Sequence, residues 1–242
     1  MILLFTDFGE NGPYLGQVIA KLRLCGFSGD IINLFADAPA FSVKASACLL
    51  AAYSSAFPTN SLFLSIVDPG VGGKRKAMVV KSGGRWFVGP DNGLFEMIVR
   101  QDKNAEAWEI GWRPDTLSSS FHGRDLFAPI AAYLLADDTE EKLTPISLLQ
   151  LVRFDWPDDI AEIVYIDHYG NAMTGLRSGQ GIKSVAIGKR NLNLSRTFSS
   201  VPGGEPLVYE NANGLIEIAV NQGRADDYFD LSVGSPLAYS KV

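Results

Sequence analysis

The sequence predicts an α/β N-terminal domain built on a largely parallel sheet, followed by a smaller all-β, barrel-like C-terminal domain. Two observations carry this reading. As far as about Ala136, short apolar runs alternate with longer helical segments, whereas beyond Asp159 only short strands appear, separated by Gly, Asn and Asp turns. At 242 residues and 47% hydrophobic, the chain can bury a substantial core, as one large or two modest domains.

Taken in order, Ile2 to Thr6 is an apolar run of strand length, and Tyr14 to Cys25 follows with helical patterning. Ile31 to Phe35 is a second strand. Ser42 is a suitable N-cap for the Ala-rich helix from Ser42 to Phe57, which Pro58 ends. Leu62 to Val67 is a third strand; Lys76 to Lys81 and Arg85 to Val88 are two more, joined by Ser82-Gly83-Gly84. Asp125 to Leu135 is a helix. The charged stretch from Asp137 to Asp159, punctuated by Pro145 and Pro157, places a boundary near 155, with an α/β domain over 1–155 and a β domain over 156–242. In the latter, strands are expected at Glu162 to Ile166, Ser184 to Ile187, Pro206 to Glu210, Leu215 to Val220 and Leu231 to Val233.

Composition removes several function classes. The net charge is −6 and the bases are scattered apart from Lys74-Arg75-Lys76, so no basic stripe offers a nucleic-acid surface. No apolar run approaches the ~20 residues that a membrane helix needs. Met1 to Asp7 lacks a basic region and a small-residue cleavage site, so it reads as a first strand and makes the cytoplasm the expected compartment. Cys25 and Cys48 show neither metal spacing nor a disulfide framework, and the only two histidines, His122 and His168, form no paired-ligand signature. Gly70-Val-Gly-Gly-Lys74 has the wrong spacing for a phosphate loop and continues with Arg75; Asp7-Phe-Gly-Glu-Asn-Gly12 has the wrong spacing for a dinucleotide turn. A small-molecule ligand is expected, with no metal and no cofactor.

Two stretches concentrate the remaining chemistry. In Val67 to Arg75, Asp68 stands where a strand gives way to a glycine-rich loop, the position at which open α/β sheets bind ligands. Asp-Pro-Gly is equally a turn former, but the glycines of the loop let Arg75 approach a ligand closely. In Ser120-Phe121-His122-Gly123-Arg124-Asp125, His122 opens a helix whose N-terminal amides can meet negative charge. Asp7, after the first strand, is either a turn former or an acceptor for a ribose diol. Gly89-Pro90-Asp91-Asn92-Gly93 reads as a turn and helix cap, and in Asp167-His168-Tyr169-Gly170-Asn171 the better ligand is Asn171.

Together these residues resemble the S-adenosyl-L-methionine (SAM) hydroxide adenosyltransferases, the family that also holds the fluorinase and chlorinase enzymes. Thr6 to Gly9 with Tyr14-Leu-Gly16, Val67 to Gly73, Gly89 to Leu94, Phe121 to Pro129, Asp167 to Asn171 and Asn211 to Ala219 are similar to its motifs and run in family order. The resemblance implies hydrolysis of SAM to adenosine and methionine, with Asp68, Arg75 and His122 as the catalytic set. It further implies that Asp7 holds the ribose hydroxyls, that Asn171 helps to hold the nucleoside, that Gly123 lines the substrate, and that Phe41, Phe121 and Phe198 form apolar walls. It also implies a homotrimer with substrate between the N-domain of one subunit and the C-domain of its neighbour. The halogenase branch carries a tyrosine where Asp68 stands, a halide-binding group near Val71 and a long insertion between the equivalents of Arg75 and Gly89; all three differences favour water as nucleophile. Gly12 stands where the family commonly has an acid, and Asn211-Ala212 replaces its Asn-Ser, both at the amino-acid end of the ligand. Two rival readings are a non-catalytic SAM or adenosine binder and an enzyme for a different 5′-sulfonium nucleoside.

Overall fold

In a computed structural model, which describes residues 1–241, the chain divides into two compact units, Met1–Phe154 and Asp155–Val242. The first unit contains β1 (Ile2–Thr6), α1 (Tyr14–Leu24), β2 (Ile31–Phe35), α2 (Val43–Ser54), β3 (Leu62–Ile66), β4 (Ala77–Ser82), β5 (Arg85–Pro90), α3 (Glu96–Arg100), β6 (Glu106–Ile110), α4 (Ala128–Leu135) and β7 (Leu143–Ile146). The seven strands form one sheet in the order β2-β1-β3-β5-β4-β6-β7. Strands β2, β1, β3 and β5 are mutually parallel, while β4 runs antiparallel to both β5 and β6, and β7 antiparallel to β6. Pro145 is accommodated in β7 because that strand is an edge.

The period of two along each strand explains the two-sided core. Ile2, Leu4, Leu62, Leu64 and Ile66 pack with Val18 and Leu22 of α1 and Ile130 and Ala131 of α4 on one face. The intervening residues face the other way, where the Phe5 ring meets Tyr53 of α2 and the Phe63 ring meets Phe57. β1 and β3 are therefore buried along their whole length, as parallel strands sandwiched by helices are. Truncating a residue such as Leu64, which is fully buried, costs about 2–5 kcal/mol.

One topological detail positions the site. The segment from Val67 to Lys76 leaves the carboxyl end of β3 and enters β4, which lies on the far side of β5. Ala77 pairs with Pro90, so β4 begins where β5 ends and the segment arches over the exit of β5.

The second unit contains β8 (Ile160–Ile166), β9 (Ala172–Arg177), β10 (Ile182–Ile187), β11 (Arg190–Asn193), β12 (Pro206–Glu210), β13 (Leu215–Val220), α5 (Ala225–Phe229) and β14 (Ala238–Lys241). Its strands fall into two antiparallel sheets, β12-β13-β9-β8 and β11-β10-β14, around a core of Ile163, Leu176, Val185, Val208, Ile216 and Ile218.

Several expectations change. Leu231 to Val233 is not a strand: Asp230 is left-handed (φ 53°), and the Leu231 N–H returns to the Asp226 carbonyl, closing the end of α5. Leu231 contributes to the core from that turn. Ser42 precedes α2 without a side-chain capping bond, and α2 stops at Ser54, short of Phe57. The helix expected from Asp125 is preceded by a π turn over Gly123–Phe127, and α4 begins only at Ala128.

Candidate active site

Asp68 and Arg75 stand at the two feet of the arch, and His122 caps the π turn that leads into α4. The Arg75 Nε donates to both carboxylate oxygens of Asp68, at 2.9 and 3.0 Å, and Nη2 adds a further bond to Oδ2. The same Nη2 lies 3.0 Å from Nδ1 of His122. A guanidinium only donates, so Nδ1 is the acceptor, which assigns the ring proton to Nε2. The guanidinium carbon sits 5.3 Å from the centre of the Phe127 ring, so the planar fork is held on one face by an aromatic. The Arg75 and Asp68 side chains are 10% and 5% exposed.

Electrostatics follow from this packing. Burial lowers the pKa of His122, and the Arg75 guanidinium lowers it further; Asp68 and Asp125 oppose them. The imidazole is thereby held neutral. Asp7 lies at the exit of β1, its N–H bonded to the Ile66 carbonyl, and burial followed by the Asp68 charge pushes its carboxyl upward.

Glycines let the arch close. Val71 N–H bonds the Asp68 carbonyl and Gly73 N–H that of Gly70, two successive turns. Gly72 has φ 76°, and a Cβ there would lie 2.3 Å from the Ser119 carbonyl oxygen; the arch thus rests on the segment that leads to His122. The Asp125 carboxylate accepts from the Ser118 N–H and pairs with Arg124, which keeps it ionised and ties that segment down.

Asp7, Phe8, Ile66, Asp68, Val71, Ser120, Phe121, His122 and Gly123 surround a recess of about 60 Å³. Phe121 belongs to a three-ring cluster with Phe8 and Tyr14, centres 5.4 to 5.8 Å apart. A side chain at Gly123 would press on Ile66 and Phe8. The structure thus brings together Asp7, Asp68, Arg75, Phe121, His122 and Gly123. Phe41 is elsewhere: it is 84% exposed at φ 64° and lines neither this recess nor the second cleft.

Asn171 and Phe198 lie in the second unit, on a cleft of about 600 Å³ shared with Asp167, Tyr169, Tyr209, Glu217, Val220, Gln222, Gly223 and Arg224. Asn171 is buried, and its amide donates 2.9 Å to the Asp167 carboxylate, which leaves the amide oxygen as the free acceptor. Gly170 makes this turn possible, at φ 82° with Asp226 Oδ1 2.4 Å from where a Cβ would be. Sequence reasoning missed Glu217, which is 3% exposed and accepts from the Tyr209 hydroxyl and, at 2.8 Å, from the Asn211 amide. Burial pushes the Glu217 carboxyl and the Tyr209 hydroxyl upward. A carboxylate in the middle of the apolar run Leu215-Ile-Glu-Ile-Ala-Val220 was the signal. His168 is exposed, and among the described residues no group of three His, Cys, Asp or Glu is placed to hold a metal ion.

The chain has relatives among known proteins. Residues 2–144 match the model of the SAM hydroxide adenosyltransferase N-terminal domain, and residues 161–238 that of its C-terminal domain. A protein of Thermus thermophilus named (R)-S-adenosyl-L-methionine hydrolase is 33% identical over 98% of this chain and 98% of its own. One of the same name from Salinispora arenicola is 31% identical over 96% and 94%. A crystal structure of a conserved protein from Thermotoga maritima superposes with a TM-score of 0.88 at 29% identity, over 99% of this chain and 100% of that one.

Proposed function

The chain belongs to the SAM hydroxide adenosyltransferase family, and on that footing we propose that it hydrolyses S-adenosyl-L-methionine to adenosine and L-methionine. The observation that carries this reading is the bonded Asp68–Arg75–His122 array opening on a recess at the carboxyl edge of the sheet. The chemistry suits these groups. Attack of a water oxygen on C5′ forms the C–O bond, and the electron pair of the C5′–S bond goes to sulfur. The sulfonium leaves as a neutral thioether, so no acid is needed at the leaving group; the extra proton of the new hydroxyl passes to water. What the reaction needs is an aligned, poorly hydrated oxygen nucleophile.

Arg75 and the Nε2–H of His122 are donors that hold this water and favour its hydroxide-like form, with Asp68 fixing the guanidinium. The Asp7 carboxyl oxygens accept from the ribose diol. Phe121 and Gly123 shape the apolar wall beside C5′. The reaction draws on no cofactor. We further propose a cytoplasmic homotrimer in which the recess of one subunit faces the barrel-like region of its neighbour, so that Asn171 and Phe198 reach the nucleoside. Phe41, bare in the single chain, is then covered by nucleoside.

The test is chromatography of SAM incubated with the metal-stripped protein beside Asp68→Ala. Equal amounts of adenosine and methionine, absent with Asp68→Ala, are expected. Intact SAM despite measurable binding would replace the hydrolase by a binding protein.

A further inference from the structure

We propose that Asn92 is a positioning residue for this reaction, holding the arch that carries Asp68 and Arg75 from beneath. The proposal rests on the hydrolase reading for its chemistry, but its geometry is independent of it.

The turn Gly89-Pro90-Asp91-Asn92-Gly93 is the exit of β5, over which the arch passes. It reaches both feet. The Asn92 side-chain amide donates 2.9 Å to the carbonyl of Val67, the residue before Asp68. The Asp91 N–H donates 3.0 Å to the carbonyl of Lys76, the residue after Arg75. The other end of the Asn92 side chain is engaged as well, because its Oδ1 accepts from the Leu94 N–H at 3.2 Å, just ahead of α3. Asp91 is fastened from behind, Oδ1 accepting from the Val152 N–H at 2.9 Å.

Gly89 shows how closely the two strand exits approach: a Cβ there would lie 2.1 Å from the Ser65 carbonyl oxygen of β3. A single turn, anchored at its own back, therefore fixes the separation of the two feet. The distance between Asp68 and Arg75 follows from it, and so does the contact of Arg75 with His122. Asn92 lines neither the recess nor the second-unit cleft. Its effect runs through the Val67 carbonyl.

The discriminating measurement uses the full chain. Asn92→Ser keeps a short acceptor near Leu94 and removes the amide that holds Val67, without adding charge. With SAM as substrate, kcat is expected to fall at least tenfold while KM stays within twofold. Independently of turnover, the two histidines are followed by NMR against pH. The groups that bear on His122 are Arg75, Asp68, Arg113 and Asp125, with burial and Arg75 holding its pKa down. Once the arch loosens, Arg75 withdraws from Nδ1 and the His122 midpoint rises in Asn92→Ser, with His168 as internal reference.

If that variant does not fold, Asn92→Asp carries the same expectation for kcat and KM, and its His122 midpoint is then read against an added negative charge. An unmoved His122 titration, or a kcat within twofold of wild type, overturns the proposal. Wild-type protein that releases no adenosine from SAM overturns the hydrolase reading instead, and the His122 titration then decides the positioning role alone.

Discussion

Arg75→Lys is the substitution that probes the Asp68–Arg75–His122 array most directly, because it preserves charge and removes geometry. Arg75 donates to both oxygens of Asp68 through Nε and, from Nη2, to Asp68 and to Nδ1 of His122. These contacts need nitrogens fixed in one plane, and the plane itself lies against Phe127. A lysine has one nitrogen on a flexible stem. It can sit on Asp68 or reach towards His122, and whichever it abandons loses a charge-assisted hydrogen bond in a largely buried setting. Such a bond is worth about 1.5–3 kcal/mol. At about 1.36 kcal/mol per decade, the loss corresponds to a roughly ten- to 150-fold lower rate if the bond is needed in the transition state. Initial rates of adenosine release at saturating and at limiting SAM separate kcat from KM; the loss is expected in kcat, since the residues proposed to hold the nucleoside are others. Arg75→Lys with kcat within threefold of wild type would refute the view that the fork, and not simply a positive charge, aligns the nucleophile.

Protonation of the histidine and crowding at the arch give two more tests. His122 has its pKa lowered from 6.5, first by burial and then by Arg75, so the neutral ring that accepts from Arg75 persists at pH 7 and is lost only as pH falls through the lowered pKa; kcat should therefore fall on the acid side with a midpoint below 6.5, and a midpoint above 7 would contradict the assignment. The sign for stability is the same: a depressed histidine contributes stability above its unfolded pKa that is lost as pH falls through the folded one, which acid-titrated melting would show. Gly72→Ala places a Cβ 2.3 Å from the Ser119 carbonyl on a left-handed residue. It should cost about 1–3 kcal/mol from backbone strain alone, lower Tm in calorimetry and depress kcat by shifting the arch away from His122; an unchanged Tm would mean that the arch is not seated as described.

Much of this was legible in the residues. The uninterrupted apolar runs of β1 and β3 mark strands buried on both faces, and a turn-rich segment holding an acid and an arginine after such a strand marks a loop at the ligand edge. Asp68 and His122 could not be singled out alone, since Asp-Pro-Gly is equally a plain turn. It was an acid, an arginine and a histidine gathered at turn-rich positions of motifs in family order that pointed to a site, and the structure brings the three into hydrogen-bonded contact. The role of Asn92 could not. Gly89 to Gly93 reads as a turn on its own, and its grip on Val67 and Lys76 exists only because β5 is inserted between β3 and β4, which no local pattern encodes. β6, β7 and β14 escaped for a similar reason. Each is short, β6 and β7 are partly exposed and β14 is exposed throughout, and each is stabilised by pairing with a neighbour more than by its own alternation. At Leu231 to Val233 the converse held: apolar residues suited to a strand are drawn into the core by a helix-ending turn.

The arch over β5 has a last consequence, for how such a protein can vary. Its feet are set by the spacing of strands two apart in the sheet, about 10 Å. The eight residues Asp68 to Arg75 could span about 27 Å if extended. The chain between the feet is slack, gathered into two turns. The frame therefore fixes where this stretch begins and ends while leaving its contents open to exchange, like a socket that accepts differently wired plugs. New reactivity can arise by rewriting a few consecutive residues, with the sheet beneath left as it is.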